Sequence, residues 1–105
     1  MAYTEYAARL ATRAYLERDR PTVLSIRMYT AGALATPTSG TISIYNASNT
    51  AMVSAAAVTA GSTSSYTLLA ATVAGESYGA GWRVEWSLTM PDGYVHVVRQ
   101  SASLV

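Results

Sequence analysis

The sequence predicts an all-β fold, on two observations. The first is the run Trp82-Arg83-Val84-Glu85-Trp86-Ser87-Leu88-Thr89-Met90, an unbroken alternation of apolar and polar residues that ends at Pro91-Asp92-Gly93. Period-two alternation marks a half-buried strand, because successive side chains point to opposite faces of a sheet. Pro-Asp-Gly fits a type I turn closed by a bulge, with Pro91 pre-setting φ and Gly93 taking a left-handed conformation. The chain then returns as an antiparallel strand over residues 94–100. The second observation is the series of short β-rich runs from Pro21 onward, divided by turn residues at the spacing of a small sandwich.

Taken in order, residues 1–20 stand apart, holding four of the seven arginines and three of the six acids. Thr4 is placed to cap a helix in which Glu5 and Arg9 lie four residues apart, with Ala7, Leu10, Ala11 and Ala14 as a narrow apolar stripe. Such a stripe buries little, and an isolated helix of this length is marginal in water. The segment is therefore read as a docked helix or as an arm that orders on a partner. Residues 22–29 alternate, with Leu24, Ile26 and Met28 on one face. Residues 31–39, with Gly32 and Pro37, read as a loop. Residues 40–45 form a strand pairing Ile42 with Ile44 on one side, and Asn46 to Asn49 supply turn chemistry. A weaker alanine-rich strand spans residues 50–59, and residues 65–69 form another. A long Ala/Gly-rich connection then leads to Gly81 and the hairpin.

The hairpin turn fixes a register. Met90 faces Tyr94, Leu88 faces His96, Trp86 faces Val98 and Val84 faces Gln100, which puts Trp82 and Trp86 on the core face. The other side pairs Glu85 with Arg99, Ser87 with Val97 and Thr89 with Val95, and opposed pairs of this kind are the unit of sheet stabilisation. Val95 and Val97 beside an ion pair make a mixed face, open to cover by the N-terminal segment or another chain, or simply valines used as β-formers.

Composition bounds the chemistry. A chain of 105 residues buries about 65% of its unfolded surface, so its core needs no staple. It has no cysteine, which rules out disulfides and thiolate metal sites. The cations, all arginine, nearly balance the acids, which is no footprint for nucleic acid. Charged residues make up 12% of the chain against about 25% in an average domain, which fits persistent contact with neighbours and equally a surface that is simply neutral and Ser/Thr-rich. No charged n-region precedes an apolar core, and no run reaches the ~18 apolar residues of a membrane span. The reading is therefore a chain made in the cytoplasm, with no membrane partner. Asn46-Ala47-Ser48 matches the glycosylation sequon, a pattern common by chance.

No catalytic constellation emerges. His96 is the sole histidine and falls beside Leu88 as a structural residue. Asp92 belongs to the turn and Glu85 to Arg99, so no two carboxyls flank a cleft. The serines lack a nucleophile elbow, and Gly79-Ala80-Gly81 enters a strand where a phosphate loop would open a helix. The sequence is therefore read as non-enzymatic, with no cofactor and no metal. The eight tyrosines and two tryptophans permit sugar stacking, but with phenylalanine absent they read first as core fillers with a wet hydroxyl.

Three segments carry a resemblance: Leu16-Glu17-Arg18-Asp19-Arg20-Pro21-Thr22, Pro37-Thr38-Ser39-Gly40-Thr41-Ile42-Ser43-Ile44-Tyr45-Asn46, and Gly81-Trp82-Arg83-Val84-Glu85-Trp86-Ser87-Leu88. In pattern and order, from about Leu16 onward, the chain resembles the small immunoglobulin-like β domains of tailed-bacteriophage virion proteins, particularly neck or head-to-tail adaptor proteins. The resemblance implies a small antiparallel immunoglobulin-like β-sandwich over residues 21–105, with residues 1–20 as an N-terminal helical or extended arm. It implies a structural role in the virion, packing against portal or connector, tail or major capsid proteins in a symmetric ring or lattice. Capsid decoration, or a host-glycan or receptor-binding module on the tail, are the alternatives. On this reading Arg9, Arg13, Arg18 and Arg20 supply charge-assisted contacts, Tyr3, Tyr6 and Tyr15 aromatic anchors, and Val95 and Val97 an apolar patch.

Overall fold

A computed structural model describes residues 5–105. Thr4 and Tyr3 lie outside the described residues. Nine strands follow in chain order: β1 (Ala7–Arg9), β2 (Arg13–Leu16), β3 (Thr22–Thr30), β4 (Ala33–Ala35), β5 (Ser39–Tyr45), β6 (Ala51–Ala57), β7 (Ser64–Leu68), β8 (Gly79–Thr89) and β9 (Val95–Leu104). A single 3-10 turn, Ala70–Val73, precedes β8. Among the described residues no helix is long and apolar enough to cross a membrane.

The strands form two sheets. In the smaller, β3 is central and pairs antiparallel with β1, β4 and β7. The larger has the order β2-β9-β8-β5-β6, antiparallel throughout except that β2 runs parallel to β9. Alternation along each strand decides what faces inward. Leu24, Ile26, Met28 and Leu68 of the smaller sheet join Ile42, Ile44, Val84, Trp86, Leu88 and Leu104 of the larger in one buried cluster. Each large side chain so removed from water contributes about 1.5–3 kcal/mol.

The β8–β9 hairpin adopts the register that its turn requires, from Val84 opposite Gln100 to Thr89 opposite Val95. Gly93 N–H donates to the Met90 carbonyl at 2.8 Å and Met90 N–H to the Tyr94 carbonyl at 3.0 Å. Gly93 has φ of 87°, a conformation that costs a residue with a Cβ. At Gly40 the constraint is space, since a Cβ there would stand 2.6 Å from Leu88 Cδ2 and 2.9 Å from Val58 Cγ2. Glycine therefore lets β5 lie close to β8. At the outer edge, Ala55 takes φ of 48° in an irregular β5–β6 register, and its N–H donates to Ser43 Oγ at 3.0 Å. Such bulges twist an edge strand away from further pairing.

The helical alternative for the N-terminal segment is corrected. Its described residues include β1 in the smaller sheet and β2 in the larger. The physical reason is visible in Arg13-Ala14-Tyr15-Leu16, where a period of two buries Ala14 and Leu16 completely or nearly so while the three-alanine helical stripe offers little to bury. Gln100, itself buried, donates Nε2–H to the Ala11 carbonyl at 2.7 Å, which satisfies the backbone where the chain crosses between sheets. Two further boundaries move. The predicted loop over residues 31–39 contains the short strand β4, which closes a hairpin on the end of β3. The hairpin strands also extend outward, β8 back to Gly79 and β9 on to Leu104, because β2 pairs with the end of β9.

Candidate interaction surface

The outward face of the larger sheet is set by residues alternate to the core positions. Register aligns them in rows across β5, β8 and β9: Ser39–Thr89–Val95, Thr41–Ser87–Val97 and Ser43–Glu85–Arg99. The rows nearest the hairpin turn are hydroxyls and valines, with Val95 at 58% and Val97 at 49% exposure. No described strand lies over them; the N-terminal segment joins the sheet at its edge, beside β9.

Farther from the turn the face becomes charged, with two arginines on one carboxylate. Glu85 Oε2 forms an ion pair with Arg83 Nε at 3.2 Å and accepts a hydrogen bond from Arg99 Nε at 3.4 Å. Arg83 also lies over the Tyr45 ring, 4.2 Å from its centre, a geometry worth about 0.5–1 kcal/mol at an exposed site. Arg13, opposite Ser101 on β2, donates to Ser103 Oγ at 2.9 Å. Arg13, Arg83 and Arg99 border one shallow depression of about 360 Å³.

The residues singled out from sequence do not converge on one place. Tyr6 is half-buried, its ring edge-on to His96 with centres 5.1 Å apart, so it packs against the core. Arg9 lies over Tyr29 on the smaller sheet. Tyr15 projects outward at 62% exposure. Arg18 stacks on Tyr78 at 4.0 Å and donates to the Glu76 carbonyl at 3.2 Å, while Arg20 pairs with Glu17 at 3.5 Å. Among the described residues Val95 and Val97 share one patch, and Arg13 and Tyr15, both exposed on β2, border another depression. Tyr3 lies outside the described residues.

Two further acids have structural partners. Glu76 accepts a hydrogen bond from Asn46 Nδ2 at 3.0 Å, and Asp92 accepts one from the Tyr94 N–H at 3.0 Å. Asn46 also accepts from the N–H groups of Ser48 and Thr50, so the sequon asparagine organises its own turn. Among the described residues no three His, Cys, Asp or Glu side chains gather to hold a metal. Sequence reasoning missed the Arg18–Tyr78 stack and the directly opposed Arg9 and Arg27 of β1 and β3. The second was hidden because a helix was considered where β1 forms. No family model, curated protein or solved structure matches this chain.

Proposed function

We propose that the protein is a non-enzymatic structural component of a tailed-phage virion, an immunoglobulin-like sandwich packing against neighbouring subunits at the head-to-tail connector or neck. The fold supports the immunoglobulin-like reading through its strand order. With β3, β5, β7, β8 and β9 in the places of strands B, C, E, F and G, the larger sheet reads G-F-C with β6 beside C, and the smaller pairs B with E. The first two strands split between the sheets.

The observation that carries the functional reading is the outward face of β5, β8 and β9. It is hydroxyl-rich and aliphatic near the turn, where the rows Ser39–Thr89–Val95 and Thr41–Ser87–Val97 carry no charged side chain, so a neighbour covering that part need not desolvate an ion. A symmetric ring or lattice presents one such face repeatedly to the same neighbour. A sugar site would call for aromatic faces side by side; Tyr78 has one face against Arg18, and Tyr94 sits at the turn, the opposite end of the hairpin from Tyr78, so these two form no shared platform.

Mass spectrometry of purified phage particles tests the proposal. The protein is expected at a fixed stoichiometry to the portal or capsid protein, retained through washing. Its absence from particles of a phage that expresses it would overturn the reading.

A further inference from the structure

We propose that Arg9 and Arg27, on the outward face of the smaller sheet, form a binding site for a single oxyanion group, a phosphate or a carboxylate. β1 and β3 run antiparallel with Arg9 directly opposite Arg27, and both side chains are exposed. Directly opposed side chains project to the same side, and like charges there destabilise the pairing. The backbone nevertheless holds these two cations together.

Among the described residues no carboxylate forms an ion pair with either. The ion pairs among the described residues involve Arg18, Arg20, Arg83 and Arg99, and residues 1–4 contain no acid. Elsewhere Arg18, Arg20, Arg83 and Arg99 each have a carboxylate partner, and Arg13, which has none, stands opposite a serine and not a second arginine, donating to Ser103 Oγ and the Ala102 carbonyl. The contrast singles out the Arg9–Arg27 pair as a charge arrangement that folding alone does not explain. Local rules broken without internal compensation mark functional positions.

The geometry is also partly organised for a ligand. Arg27 Nε donates to Thr63 Oγ1 at 2.9 Å, which fixes the plane of its fork. Arg9 rests above Tyr29 with 5.5 Å between guanidinium carbon and ring centre. In these contacts neither arginine spends an Nη donor. The two border a depression of about 380 Å³ with Ser25, Tyr29 and Thr63, whose hydroxyls add donors. A guanidinium fork binds phosphate and carboxylate oxygens in pairs, so one oxyanion between the forks cancels the repulsion and uses the free N–H groups. Two charges suit one group and fall well short of a polyanion track. The site stands independently of a role in a virion.

The test is an NMR titration of the full chain, following the arginine Nε–Hε signals together with the backbone amides of β1 and β3, which every variant retains, at constant ionic strength with sodium phosphate and, separately, sodium glutarate. A saturable shift of the Arg9 and Arg27 signals is expected, with affinity lower by about tenfold or more in Arg9→Ala or Arg27→Ala. Arg9→Lys and Arg27→Lys keep the charge and lose the fork, and are expected to bind more weakly than the parent. Response to phosphate alone, glutarate alone or both assigns the oxyanion chemistry, and each is a positive result. The proposal is overturned if neither probe saturates, or if the response persists in a folded Arg9→Ala/Arg27→Ala variant.

Discussion

On the larger sheet, Arg83 and Arg99 share the carboxylate of Glu85, whereas on the smaller sheet Arg9 and Arg27 stand opposite each other with no acid within ion-pair distance. The same residue type thus serves two purposes. In the first case both cations are held on one carboxylate, away from the valines and hydroxyls of β5, β8 and β9 near the turn. In the second the positive charge is left available. A strand pair that tolerates like charges face to face spends stability to keep them there, so the two outer surfaces are suited to different contacts.

The N-terminal segment sharpens this contrast because it lends one strand to each sheet. β2 buries Ala14 and Leu16, with Leu16 fully excluded from solvent, whereas β1 has no fully buried residue. Leu16→Ala is therefore expected to cost about 2–5 kcal/mol in urea denaturation, and Ala8→Gly less than about 1 kcal/mol. Equal losses would mean that the two strands are anchored alike. A smaller effect probes the shared carboxylate: Glu85→Gln should cost about 1 kcal/mol, diminishing in high salt. Arg99→Ala should cost less than Glu85→Gln, because Arg83 remains to pair with Glu85.

These expectations also show which parts of the molecule local sequence can reveal. The β8–β9 hairpin was legible residue by residue, since its alternation and turn are adjacent in the chain and together determine the register. Glu85 opposite Arg99 followed directly. Arg83 as the second partner of Glu85 did not, because it lies two residues away on the same strand and reaches the carboxylate through its side-chain conformation. The N-terminal strands were harder still. Three- and four-residue strands carry too few positions to show a period, and the stabilising features, pairing with Ser101 to Leu104 and the bond from Gln100 to Ala11, lie about 90 residues away in sequence. The opposition of Arg9 and Arg27 depends instead on β1 pairing with β3 in the other sheet.

The central claim is that the outward face around Val95 and Val97 acts by meeting another subunit. Its most direct test is to supply Val95→Arg/Val97→Arg to a phage lacking the wild-type protein and to quantify the variant in purified particles. Both side chains are exposed, so the account predicts an isolated protein with unchanged circular dichroism and a melting temperature within about 2 °C of the parent, together with loss of incorporation. Full occupancy by the folded variant would contradict it.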